Sequence, residues 1–287
     1  MQKTLKPLAL LITTILVLAC SLSLTQSPTP GPIPTASVPP PTETATTSAA
    51  TDIVVPEATG TPVRGVLPVS YNNVKLSVPA GLSTGTTNST GTDTEFPFTN
   101  PSSGPMPEHT KIVLNDYPLQ DTLLEPEIMV FAAQDYAAYT DLTQQTVSVL
   151  KGLKFTPGQS VPSGLPVGAL SAQVHPVSFG DGRGLAYLTQ FDQTPLPINN
   201  RELIYYFHGL TTDGSKYVEV ILPVQSEFLA PDENPYSALP SGGVPFKMDQ
   251  IQAYYDAVAA KLNTALSKQF APTLPTLDAL VQSISTH

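Results

Sequence analysis

The sequence predicts an α+β domain, an antiparallel meander with helices packed on it, and three observations carry that expectation. First, between Ala172 and Val224 the chain divides into short segments separated by turn residues. Second, in the last of these segments Val218, Val220, Leu222 and Val224 alternate with Tyr217, Glu219 and Ile221. Successive side chains of a strand point to opposite faces, so period two marks a strand with two distinct faces. Third, apolar residues recur at helical spacing on both sides of the meander: Tyr136, Tyr139, Thr143, Val147 and Leu150 before it, Ile251, Tyr255, Val258, Leu262 and Leu266 after it. Strands grouped together, with helices before and after them, is the α+β order.

The elements follow along the chain. Val74 to Val78 reads as a strand ending at Pro79, and the Gly/Thr/Ser/Asn stretch from Gly81 to Asp93 reads as a loop. Strand signals resume at Ile112 to Leu114 and Ile128 to Phe131, and one helix is expected from Ala133 to Leu150 with Gly152 as its stop. The meander holds three or four strands, with turns at Asp181-Gly182 and Asn199-Asn200. Asp213-Gly214 has the residue types of a tight type I′ hairpin turn. A helix from Met248 to Lys268 is broken by Pro272 and Pro275, and a short helix from Leu277 to Ile284 docks back on the body.

The N-terminal region contributes nothing to this core. Lys3 and Lys6 precede a largely apolar run from Leu8 to Leu18, followed by Ala19 and Cys20. That is a signal-peptide layout over residues 1–19, and the run is shorter than the roughly 20 residues a bilayer span requires. The order Val17-Leu18-Ala19-Cys20 resembles the lipobox of bacterial lipoproteins. The resemblance implies a diacylglyceryl group on the Cys20 thiol, cleavage before Cys20, and a protein exported and held to the membrane by lipid. Stable anchoring takes two or more acyl chains, each buried methylene contributing about 0.8 kcal/mol. Cys20 is the only cysteine in the chain, so the domain has neither an intramolecular disulfide nor a thiolate metal site.

Residues 20–65 are dominated by Pro, Thr, Ser, Ala and Val, including Pro28, Pro30, Pro32, Pro34 and Pro39 to Pro41, without aromatic residues. Such a segment cannot bury enough surface to offset the entropy of ordering, so it is expected to be a disordered linker. Residues 66–287 are expected to form one globular domain. Cleavage before Cys20 removes two lysines and no carboxylate, taking the formal charge from −10 to −12. Nucleic acid is therefore an unfavourable partner, since phosphate binding depends on clustered Lys and Arg. The expected partner is the membrane, through the lipid, together with an unidentified cell-surface protein or small molecule.

The order of strand pair, helix, meander and C-terminal helix resembles the PsbP-like α/β/α sandwich. It does so most locally at Val74-Lys75-Leu76-Ser77-Val78-Pro79 and at Leu277 to Ser283. That family consists mostly of assembly or binding modules, so the resemblance implies a non-enzymatic role and brings no site residue with it. The block Ile198 to Val224 also resembles uncharacterised bacterial lipoproteins.

Reactive constellations are sparse. There is no phosphate-cradling loop, no His-Glu-x-x-His and no other cofactor motif. Ser148-Val149-Leu150-Lys151 spells Ser-x-x-Lys, but no Lys-Thr-Gly partner accompanies it. The histidines His109, His175, His208 and His287 show no i, i+4 pair. His208 is expected to end a strand with its ring partly exposed. Asp181-Gly182-Arg183 and Asp213-Gly214-Ser215-Lys216 lack the acidic repeat of a calcium loop and read as turns.

One patch stands out: Ile204, Tyr206 and His208 share a strand face, Tyr217, Glu219 and Ile221 share a face of the next, and a hairpin would join them. Tyr206, His208, Tyr217 and Glu219 either line a binding site, since tyrosine combines apolar area with a polar tip, or lie under a helix as a second core layer. If the protein were an enzyme, with a site assembled only in the fold, Glu202, His208 and Asp213 would be its candidate residues.

Overall fold

The computed structural model describes residues 65–92, 104–154, 156 and 159–287. The expected signal peptide, Cys20 and all but the last residue of the expected linker lie outside them. The architecture is α+β: a seven-stranded antiparallel sheet with helices packed on it.

The described chain opens with a hairpin of β1 (Leu67–Tyr71) and β2 (Val74–Val78). Asn72 and Asn73 close it with φ of 45° and 63°, the left-handed pair that a two-residue type I′ turn demands and that Asn tolerates. The strand preceding this turn has no counterpart in the sequence reading.

The large sheet runs in the order β3-β4-β5-β9-β8-β7-β6. It comprises β3 (Gly85–Gly91), β4 (His109–Asn115), β5 (Glu127–Ala132), β6 (Ala172–Phe179), β7 (Gly182–Thr189), β8 (Ile204–Thr211) and β9 (Lys216–Pro223). The meander thus has four strands. The expected loop from Gly81 to Asp93 is instead largely β3. Its sequence Gly-Thr-Thr-Asn-Ser-Thr-Gly carries no apolar residue because it is an edge strand with no buried residue. Backbone pairing to β4 holds it there, and no burial pattern was available to betray it.

Alternation along the central strands divides the core in two. Ile128, Val130, Tyr205, Phe207, Ala186, Leu188, Val218, Val220 and Leu222 face one side. There they pack against the β1–β2 hairpin, α3 (Ile251–Thr264) and α4 (Leu274–Gln282). Met129, Phe131, Leu185, Tyr187, Ile204, Tyr206, Leu210, Tyr217 and Ile221 face the other. Over that side lie α1 (Ala133–Tyr139) and α2 (Asp141–Gly152). Both faces are covered, giving three layers.

Three helix boundaries differ from expectation. The single helix from Ala133 to Leu150 is two, because Thr140 adopts an extended conformation (φ −147°, ψ 165°) and starts α2 anew. Its Oγ1 accepts from the Thr143 amide at 3.1 Å, while Thr143 Oγ1 accepts from the Thr140 amide at 2.9 Å. This reciprocal capping box outweighs a continuous periodicity. In the C-terminal region only Ile251–Thr264 is α-helical, flanked by short 3-10 turns, and Leu266 lies exposed beyond it. Pro275 sits in the first turn of α4 and opens that helix, because the amide it lacks has no helical partner there.

The β8–β9 connection is wider than a type I′ turn. Within it Gly214 is left-handed (φ 73°) but Asp213 is not. Asp213 Oδ1 accepts from the Ser215 amide at 2.9 Å and from Thr211 Oγ1 at 2.7 Å, so the aspartate caps its own turn.

Candidate functional site

The pairing of β8 with β9 sets Tyr206 opposite Ile221, His208 opposite Glu219 and Leu210 opposite Tyr217. Period two then turns Tyr206, His208, Tyr217 and Glu219 to one face, so the fold brings together the patch that the sequence suggested. The Tyr206 hydroxyl donates to Glu219 Oε1, and the Tyr217 hydroxyl is hydrogen-bonded to His208 Nδ1. The Tyr206 and His208 rings lie 4.1 Å apart at 66°, and Tyr136 of α1 stacks on Tyr217 at 4.0 Å.

Each of the four residues is 0% exposed. They lie between the sheet and the α1–α2 layer, in the same core as Phe131, Tyr136, Val147 and Leu150. The expectation that His208 ends a strand with a partly exposed ring is corrected: it is interior to β8, flanked by Tyr187 at 5.9 Å and covered by helix. Local sequence could not indicate this, because α1 and α2 come from a segment more than fifty residues earlier.

Burial sets the electrostatics. It pushes the Glu219 carboxyl up to about 8, with the Tyr206 hydrogen bond opposing the shift. Burial also pulls the His208 imidazole down to about 3. Desolvation holds Tyr136, Tyr187, Tyr206 and Tyr217 well above the ordinary tyrosine range, and the nearby Glu219 adds to this. At neutral pH the cluster is therefore mainly an uncharged polar network. Two of its atoms, His208 Nε2 and Glu219 Oε2, have no hydrogen-bond partner among the described residues. The cluster can hold or exchange a proton, but a substrate reaches it only if α1 and α2 separate from the sheet.

Glu202, His208 and Asp213 do not converge. Glu202 precedes β8, Asp213 follows it, and His208 is buried between. Glu202 has a different companion, which sequence reasoning missed. Gln190 Nε2 donates to Asp192 Oδ2 at 2.9 Å and to Glu202 Oε2 at 3.0 Å, while Asn199 Nδ2 donates to Glu202 Oε2 at 2.9 Å. Desolvation raises both carboxyls above their ordinary values, and the proximity of Asp192 adds to the rise at Glu202. The only local signal was Asn199-Asn200, legible as a turn and not as the amide holding an acidic pair. Asp213 is held down to about 2, first by the Ser215 amide and then by the Thr211 and Ser215 hydroxyls.

Gly81-Leu82-Ser83-Thr84-Gly85 has the spelling of a nucleophile elbow, a second feature that sequence reasoning passed over. It leads into a strand and not a helix, and Ser83 Oγ lies 2.5 Å and 2.6 Å from the carbonyls of Gly85 and Asn115, so it closes a turn. Ser148 is exposed late in α2. His175 Nε2 meets Asp278 Oδ1 at 2.9 Å, and the Tyr205 hydroxyl donates to the same oxygen at 2.8 Å, fastening α4 to the sheet. Among the described residues no group of three or more His, Cys, Asp or Glu is placed to hold a metal ion.

Comparison with known proteins returns no match: no family model, no curated protein and no solved structure matches the chain. Among the described residues no helix is long and apolar enough to cross a membrane.

Proposed function

We propose that this chain is an exported lipoprotein, anchored through lipid on Cys20, whose folded domain is a non-enzymatic binding or assembly module on the extracytoplasmic side. The observation that carries the anchor is Val17-Leu18-Ala19-Cys20 directly after an apolar run with basic residues before it, in a chain whose only cysteine stands there. The Pro/Thr/Ser-rich composition of residues 20–65 suits a spacer between lipid and domain. Support for a non-enzymatic role comes from His208 and Glu219, sealed inside with their cluster.

Intact mass and membrane fractionation of the native protein and a Cys20→Ala variant, in a bacterium competent for lipoprotein processing, test the anchor. The native chain is expected to gain acyl mass and partition with membrane, and the variant to do neither. Release of both without modification overturns the reading. Pull-down from intact cells tests the module, and recovery of nothing above background counts against it.

A second reading, an extracytoplasmic hydrolase, is favoured by one observation: Asp192 and Glu202 are partly buried and meet at a shared amide with raised carboxyl pKa values. Such a pair suits general acid–base work. It predicts hydrolysis of some cell-envelope polymer that Glu202→Gln abolishes in a folded protein. Equal turnover by the variant removes it.

A further inference from the structure

We propose that a cleft at one end of the sheet binds a small organic acid, with Lys151 and Arg183 holding its carboxylate and Leu150 and Leu210 covering an apolar stem. The cleft has a volume of about 500 Å³, within the range of small-molecule sites. Its walls are the last turn of α2, the start of β7 and the β8–β9 turn through Gly214. Register brings these together, since Arg183 pairs with Leu210 and Leu210 with Tyr217, so three strands end beside the C-terminus of α2.

The chain carries 23 acidic residues against 13 basic ones, yet this cleft is lined by two cations and one carboxylate. That carboxylate, Asp213, spends Oδ1 on its own turn through Thr211 and Ser215. The lining therefore favours an anion over a cation. Lys151 forms no ion pair with a described residue. Its stem lies over Gly214, where an added Cβ would sit 3.8 Å from Lys151 Cε. A cation at a helix C-terminus is favourable in itself, which accounts for Lys151. Arg183 reaches the same cleft from a strand. A guanidinium fork binds a carboxylate in two parallel hydrogen bonds, and the two leucines favour a ligand with a hydrocarbon stem over a bare inorganic anion. Lys151 and Arg183 are 32 positions apart in the chain, so only the fold joins them.

The inference deepens the binding-module reading by giving it a ligand class. Calorimetric titration of the full-length chain, produced without lipid as Cys20→Ala, uses hexanoate, hexanamide and inorganic phosphate as probes. Saturable binding of hexanoate, with weaker phosphate binding and none of hexanamide, is the expected result. Arg183→Gln and Lys151→Gln are each expected to weaken hexanoate by about tenfold, the loss of one charged contact. Lys268→Gln, with the same charge change outside the cleft, should leave it unaltered. Both cleft side chains are exposed, so the variants retain the fold, which circular dichroism checks. Hexanoate that does not saturate, that binds Arg183→Gln equally well, or that phosphate matches overturns the proposal. Anchoring and partner capture are read in cells through Cys20, so failure of either experiment is distinguishable from failure of the other.

Discussion

Glu219 and His208 face each other across β8 and β9, and burial moves them in opposite directions, so they shape stability against pH from opposite sides. Glu219 rises from an ordinary 4.5 to about 8, so the folded state holds a proton that the unfolded chain has lost. Its contribution is complete below pH 4.5 and is lost as pH rises toward about 8, at up to about 1.4 kcal/mol per pH unit. His208 falls from 6.5 to about 3, so its contribution is complete above pH 6.5 and is lost as pH falls toward 3. His175, raised because its bonds to Asp278 and Gln173 outweigh burial, adds to the alkaline decline. Urea unfolding across pH is expected to show that Glu219→Gln removes part of the decline above pH 4.5, and that His208→Gln removes part of the decline below 6.5. Parallel curves for variant and parent would contradict this. Tyr217→Ala should cost about 3–5 kcal/mol by opening the core. Tyr217→Phe, which leaves the His208 ring nitrogen unpaired, should cost about 1–3 kcal/mol. If instead Tyr217→Ala folds with unchanged stability, the residue is not core.

At the scale of elements, the break between α1 and α2 belongs to Thr140 and Thr143. Thr140→Ala removes the cap and is expected to destabilise by about 1 kcal/mol, visible as a lower thermal midpoint. If the midpoint does not move, the box contributes nothing. Alternating strands such as β9 were legible because one face meets α1 and α2 while the other meets α3 and α4. The edge strand β3 was not, because an edge needs hydrogen bonds from one neighbour and no burial. The helix break was not legible either: Tyr136, Tyr139, Thr143 and Val147 keep helical spacing across Thr140, and only the backbone shows that it is extended there.

For the whole molecule, three layers depend on α4 staying docked. Its apolar side buries Leu274, Leu277, Leu280 and Val281, and Asp278 ties it to His175 and Tyr205. Leu280→Ala is expected to cost about 2–5 kcal/mol and to raise hydrogen exchange first in α4 and the paired β1–β2 hairpin. Uniform exchange through the domain would show that the C-terminal layer does not open as a unit. Docking also buries part of the sheet face, so truncation after Leu274 should expose Phe179 and Tyr205 and promote aggregation.

The residue order alone determined the alternation of the meander, the helical stripes around it, the facing of Tyr206, His208, Tyr217 and Glu219, and the lipobox-like segment ending at Cys20. These are local patterns, set by the periods of strand and helix and by the chemistry of short peptides. Which patterns were covered was decided only by tertiary structure. Helices far along the chain seal the four polar residues, a polar edge strand joins the sheet, Asp192 meets Glu202, and Lys151 and Arg183 line one cleft. Burial and charge pairing are properties of what the rest of the chain brings to a residue, and no local pattern records a neighbour that distant.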